Sequence, residues 1–373
     1  MSYSLPSVLI YITAFSSIFY LKGVVVSPIY IYGMVCTIIF FVGKFTLNSI
    51  ITITMLAFYY ILSFTYSFNV AGLSDVINLL FGVVTFFMFY EKRNKLSRVI
   101  KSKHLITLMA FSIFLLVIDT VNRFVNPATL IETDFLMNEG YYYRYKINSI
   151  LGHDSNFNGL LINSLLCLCV VSLKSKLISL KTFILLAICL TILCVLSLSK
   201  SAVISMLIVF LSLFFYRYLI RHSIFFFLAL LFSTFLVYAI FYYLSINLEL
   251  GPSFSTKVKI YSDTIEFLLE GSFDTVFGVG IHQSEVVFGR YAHTLYSIFL
   301  SEVGVIGLIL FLSVLLQILI LTKGVAIIFY IPLFISGLSF FPGHGFLFTF
   351  VHIGIAFIIQ SSSVKADGFR INN

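Results

Sequence analysis

Charge is what this sequence has least of. Only 10% of its 373 residues are Asp, Glu, Lys or Arg, against 60% hydrophobic, and a folded chain so poor in charge has no surface to present to water. That excludes a soluble globular protein and leaves lipid as the solvent for most of the molecule. Alternation is missing too. Runs such as SIFFFLALLFSTFLVYAIFYYL over 223–244 show no two-residue period, which excludes a β-barrel. The opening apolar stretch, 5–21, lacks both a basic leader and a small-residue cleavage site. It reads as a retained helix, and the mature chain is expected to start at Met1. The five cysteines (Cys36, Cys167, Cys169, Cys189 and Cys194) all fall within apolar runs, as small packing residues without disulfide or metal-ligand spacing.

What is present is a long series of apolar segments. A spanning helix needs about 20 apolar residues, and lipid leaves no partner for an unpaired backbone amide, so the segments are expected to be helical. Spans are predicted to begin near Leu5, Val24, Asn48, Ala71, Leu105, Asn156, Leu177, Ser201, Ser223, His293, Gly324 and Gly345. The expected fold is an all-α polytopic membrane protein of about 12 transmembrane helices, a single integral membrane domain over 1–373.

With the N-terminus in the cytoplasm, 15 of the 23 basic residues fall on the inner side, as the positive-inside rule requires. The +8 net charge is then mostly a topology signal, and no nucleic-acid partner is expected. Two long segments fall outside: 122–155, a periplasmic loop, and 245–292, a larger one. Long connections with aromatic and apolar content are usually functional, so the outer face is the expected working face. Both termini are expected in the cytoplasm.

Eight basic residues stand against the orientation bias: Lys22, Arg123, Arg144, Lys146, Lys200, Lys257, Lys259 and Arg290. Lys22 and Arg123 read as cations snorkelling to headgroups. Lys200 lies between two apolar runs, with Ser197, Ser199 and Ser201 around it. One reading is an anion site at the N-terminus of the next helix, whose free amides would face the same place; the other is a snorkelling lysine in a tight turn. In the first outer loop, NEGYYYRYKINSILGHDSNFNG puts Tyr143, Arg144 and Lys146 together. Aromatic faces beside hydrogen-bonding groups suit sugar rings, and they equally suit an interfacial aromatic belt.

Three segments carry a resemblance. LSLSKSAVISM resembles the serine-basic-small motif opening a helix in the O-antigen ligase and polymerase superfamily of bacterial membrane glycosyltransferases. STKVKIYSDTIEFLLEGSFDTVFGVGIHQSE is similar to that family's large periplasmic loop, with a basic residue four before an aromatic and a Gly-x-Gly after. YAHTLYSIFLSEVGVIGLILFL looks like its histidine at the mouth of a helix carrying Glu-x-Gly-x-x-Gly. The order and spacing of the three match. The resemblance implies a GT-C-like fold, no metal or other cofactor, and polyprenyl-pyrophosphate-linked glycans as donors. Position by position it assigns Lys200 to a basic site where arginine is commoner, Lys257 to the loop basic position and His293 to the histidine. A lysine keeps the charge but not arginine's planar two-pronged donor.

The implied chemistry suits the charge map. Breaking the bond from an anomeric carbon to pyrophosphate develops negative charge on the leaving oxygen, which fixed cations stabilise. That role is assigned to Lys200, Lys257 and Arg290, with Lys259 as helper. His293 is the expected general base, with Glu285 or Asp263 as alternatives. Asp154 and Asn156, with His153, resemble the family's polar start of the sixth helix and are candidates for acceptor contacts. Glu302, nine residues past His293, is counted with the substrate-binding residues, since a carboxylate there does not face lipid; a structural pairing stands beside that role. Gly278 and Gly280 are read as shaping a turn.

The leading functional expectation is a Wzy-type O-antigen polymerase joining undecaprenyl-pyrophosphate-linked repeat units. Its expected partners are those glycans, membrane lipid and a chain-length co-polymerase. The rivals are an O-antigen ligase delivering the glycan to lipid A core and a lipid-linked oligosaccharide flippase. The flippase would be expected to show internal repeats and charges at the bilayer midplane; the chain shows no repeat.

Overall fold

A computed structural model describes residues 5–18, 45–128, 144–152, 155–247, 252–290, 292–343 and 345–371. The helices are α1 (Leu5–Ser16), α2 (Leu47–Ser67), α3 (Val70–Leu96), α4 (Ser102–Val125), α5 (Arg144–Ile147), α6 (Ser155–Lys174), α7 (Leu180–Leu196) and α8 (Lys200–Arg221). They continue with α9 (Ser223–Asn247), α10 (Pro252–Glu270), α11 (Phe273–Phe277), α12 (Ser284–Phe288), α13 (Leu295–Leu321), α14 (Ile327–Gly337) and α15 (Gly345–Ile371). Among the described residues there is no strand, and eight helices are long and apolar enough to cross a membrane. The protein is an all-helical, multi-pass membrane protein. Each predicted start is met by a helix within three residues, apart from the one near Val24, which lies outside the described residues.

The helices pack around α6, whose every residue from Phe157 to Ser172 is buried. Two of its polar residues bond to neighbouring helices: Asn163 Nδ2 donates to Ala202 O at 2.9 Å, and Ser164 Oγ lies 2.8 Å from His352 Nδ1. Cys167 Sγ donates to Ile328 O at 3.2 Å, and the described cysteines are free thiols, which fits packing residues. Close approach of α3 and α15 depends on small residues: a side chain at Gly82 would meet Phe350 at 2.7 Å, the logic of helix association in lipid. Large apolar side chains point outward instead on α2, α4, α7, α8 and α9, among them Phe58, Phe114, Leu185, Phe214 and Phe232. An apolar belt this broad is tolerable only against lipid.

Beyond α1, two described helices fall short of the predicted spans. At about 1.5 Å per residue, α7 with 17 residues reaches about 26 Å and α14 with 11 residues about 17 Å, short of a hydrocarbon core of about 30 Å. The bulk of α14 is sealed inside the protein, Ile327 through Phe334 being buried, so its ends need not reach water. The segment predicted as the large outer loop is itself mostly helical. Its α10 turns Ile260, Tyr261, Thr264 and Phe267 inward and Lys259, Glu266, Leu269 and Glu270 outward, packing between α9 and α13.

Helix direction alternates along the chain, which sorts the connections onto two ends. At one end lie the turns with Lys92, Arg93, Lys95, Lys101, Lys103, Lys174, Lys176, Arg221 and Lys323; there Gly324 packs against Ile220 and Ser223. At the other lie α5, α10 to α12, and the starts of α3, α6, α8, α13 and α15.

Candidate functional site

The second end is built on a buried network. Arg123 is 1% exposed, and its Nε donates to Asp119 Oδ2 at 3.0 Å as an ion pair. Its Nη1 donates to Tyr145 O at 3.0 Å and its Nη2 to Leu196 O at 3.3 Å. Asp119 Oδ1 accepts from Ser149 Oγ at 2.9 Å and the Ile150 amide at 2.6 Å, while Asn158 Nδ2 donates to Oδ2. The snorkelling reading of Arg123 is therefore corrected. A lipid-facing cation would have no partner for five donors, whereas here three elements supply acceptors to Arg123 and α6 adds a donor to Asp119, fixing α4, the 144–151 segment, α6 and the end of α7 to one another.

Lys200 stands beside that junction. After Leu196 the chain turns through Leu198, held at φ 58°. Ser199 then caps α8, its Oγ accepting from the Ala202 amide at 3.4 Å and donating to Asn156 Oδ1 at 2.7 Å. Glycine at 159 lets α6 come against this turn, since an added Cβ would collide with Ala202. Lys200 and Asn156 are thus brought to one helix mouth, with Lys200 exposed. Arg144 is half-buried on α5, its backbone carbonyl accepting from the Ala128 amide at 3.0 Å and its guanidinium 5.5 Å from the Tyr145 ring. Tyr143 and Asp154 lie outside the described residues, as does His153.

A second cluster forms where α10 meets the chain after α12. Burial pushes the Asp263 carboxyl above the usual carboxylate range; Lys259 pulls it back, Glu266 adds to the rise, and Arg290 again lowers it. Lys259 is exposed and Arg290 half-buried, just past Gly289 at φ 63°. Lys257 belongs to the same helix, its side chain outside the described residues. His293 is exposed immediately before Thr294, the cap of α13. Below it a buried hydroxyl cluster locks α9, α10 and α13 together: Tyr238 Oη lies 3.0 Å from both Thr294 Oγ1 and Ser297 Oγ, and Thr264 Oγ1 donates to Ser297 Oγ at 2.7 Å.

Deeper along α13 the helix breaks. Gly304 has φ 66° and ψ −176°, a conformation essentially restricted to glycine. The break frees carbonyls that the 278–280 segment takes up: the Val279 amide donates to Ser301 O at 2.8 Å and the Gly280 amide to Glu302 O at 3.0 Å. Tyr59 Oη adds a contact of 2.8 Å to Val303 O, and Ser63 Oγ donates to Glu302 O at 3.1 Å. A Cβ at Gly278 would enter the Glu302 carbonyl, and one at Gly304 the Val276 carbonyl. The glycines read as shaping a turn are thus the docking surfaces of two backbones. Glu302, 5% exposed, turns its carboxylate to the same strap, Oε1 accepting from the Ser284 amide at 3.4 Å and the carboxylate also from the His282 amide. His282 itself, at φ 61°, is held below the usual histidine range by burial, which nearby Glu285 partly offsets.

Sequence reasoning missed Asp75 and Tyr60, which line a small cavity with Glu302, Ile281, Phe299 and Phe346. Asp75 offered a signal, a lone carboxylate in an apolar span; Tyr60 offered none. No family model matches this chain, and no curated protein matches it.

Proposed function

We propose that the protein is a membrane glycosyltransferase that polymerises a surface polysaccharide, joining polyprenyl-pyrophosphate-linked repeat units on the outer side of a bacterial inner membrane. The observation that carries the reading is that Lys200 at one helix mouth, and Lys259, Arg290 and His293 about another, lie at the bundle end opposite the other basic turns. A lipid with a polyanionic head needs this combination of apolar helices below and mobile cations above.

In the proposed step His293 takes the proton of an acceptor sugar hydroxyl, whose oxygen attacks the anomeric carbon of the donor. The bond from that carbon to the pyrophosphate oxygen breaks, its electron pair leaving with the carrier lipid. Lys200 and Arg290 stabilise that charge, Lys257 and Lys259 adding to the field. The Asp119–Arg123 network acts through Lys200 by holding the mouth of α8 in place. On this reading the 12-helix count, GT-C topology and a chain-length co-polymerase follow from the resemblance, and Arg144, Tyr143, Asp154 and Asn156 would hold glycan. A second reading has its own support: the break in α13, with the buried Glu302 and half-buried Asp75 carboxyls beside it, is a feature of transporters, and fits a lipid-linked oligosaccharide flippase.

The test is the polysaccharide ladder of a strain lacking the gene, complemented with wild type, Lys200→Ala, Arg290→Ala or His293→Ala at matched protein levels. A polymerase leaves core plus a single repeat on deletion, and each variant lowers polymer roughly 100-fold or more, with Lys200→Arg retaining activity. Bare core with polymer held on the carrier identifies a ligase. Single units trapped on the inner leaflet identify a flippase.

A further inference from the structure

Asp75 on α3 and Glu302 on α13 line one cavity, in the outer turns of two helices that cross the apolar bundle, and the Asp75 carboxyl lies within electrostatic reach of Glu302. Two carboxylates brought together where the surroundings are Val76, Leu79, Phe299 and Phe346 repel strongly unless something positive lies between them. The third group is Tyr60. It is 3% exposed, lines the same cavity within electrostatic reach of Glu302, and its hydroxyl has no hydrogen-bond partner in the protein. A buried hydroxyl left unmade is costly, so its oxygen is poised for a ligand in that space.

We propose that Asp75, Glu302 and Tyr60 bind a single hard cation, of sodium or calcium size, inside the outer half of the bundle. The donor set is all oxygen, which selects hard cations over zinc, copper or iron. The space admits about one water-sized particle, so the ion sits largely dehydrated. That disfavours magnesium, which gives up its waters reluctantly. One side of the Glu302 carboxylate is already held by the Ser284 and His282 amides, aiming the group without neutralising it. Gly343 closes the space behind Asp75: a side chain there would come within 2.7 Å of Oδ1. The ion would tie α2, α3 and α13 together at the break in α13, which gives the site a role in ordering that end whatever reaction it performs. The proposal goes beyond the glycosyltransferase reading and stands or falls separately from it.

The experiment is a thermal-unfolding titration of the purified full chain in detergent, chelator-treated, at constant ionic strength with choline chloride exchanged for sodium, potassium or calcium chloride. A saturable rise of about 3 °C or more with sodium or calcium over choline is expected; which salt gives it identifies the ion. Asp75→Asn and Glu302→Gln should abolish the rise, Tyr60→Phe should weaken its midpoint about tenfold, and Lys200→Ala should leave it intact. Identical curves in all salts overturn the proposal, as does a rise that persists in Asp75→Asn. A curve that moves with pH and with no cation also overturns it, since the carboxylates then share a proton. If the carboxylate variants fail to fold, the wild-type titration decides alone.

Discussion

At the scale of single residues, the decisive group is Arg123. Its sequence context, one cation near a helix end, is that of any snorkelling arginine; its position, 1% exposed and bonded to Asp119, Tyr145 and Leu196, makes it a clamp. Removing either member of a buried pair leaves the other charged and unpaired, at a cost of about 3–5 kcal/mol. Arg123→Ala and Asp119→Ala should each lower stability by that order in detergent melting curves, and the double variant should lose clearly less than the sum of the two. Additive losses would mean the two residues act separately. Arg123→Lys should also weaken the clamp, because one ammonium cannot reach three acceptors in a plane.

At the scale of elements, α13 and the 276–280 strap form one device. Gly304 and Gly278 are each required by a positive φ and by backbone contact, whereas Gly271 and Gly289, also at positive φ, have open space around them. Gly304→Ala and Gly278→Ala should therefore cost at least about 3 kcal/mol, and Gly271→Asn, which suits the left-handed region, should be close to neutral. Proteolysis or melting of the three variants checks the contrast. The glycine pattern was visible in the sequence as Gly-x-Gly and Glu-x-Gly-x-x-Gly. That the two motifs meet was not, because backbone-to-backbone contact between segments over twenty residues apart leaves no periodic trace.

At the scale of the whole molecule, the two ends differ in kind. One carries most of the described basic residues in tight turns; the other carries the helical excursion α10 to α12, the candidate cations and the buried carboxylates. Sidedness can be read directly. In a variant with its cysteines replaced by serine, Gly271→Cys should react with an impermeant maleimide in intact spheroplasts, and Lys323→Cys only after permeabilisation. The opposite pattern would turn the molecule over and remove the periplasmic reading of Lys200, Arg290 and His293.

Composition by itself determined that lipid is the solvent, that helices are the elements, and where nearly all of them begin, because hydrocarbon tolerates neither unpaired amides nor scattered charge and so marks every boundary in the sequence. The charge map also marked Lys200 and Arg290, since cations against the orientation bias stand out; His293 was picked out by the resemblance alone. Tertiary structure alone decided that α14 stops short of a full span inside its neighbours, that the outer excursion folds as helix, that Glu302 is held by the His282 and Ser284 amides, and that Asp75 and Tyr60 share its cavity. These depend on which residues of distant helices face one another. In a chain apolar on nearly every side, periodicity carries little record of that pairing.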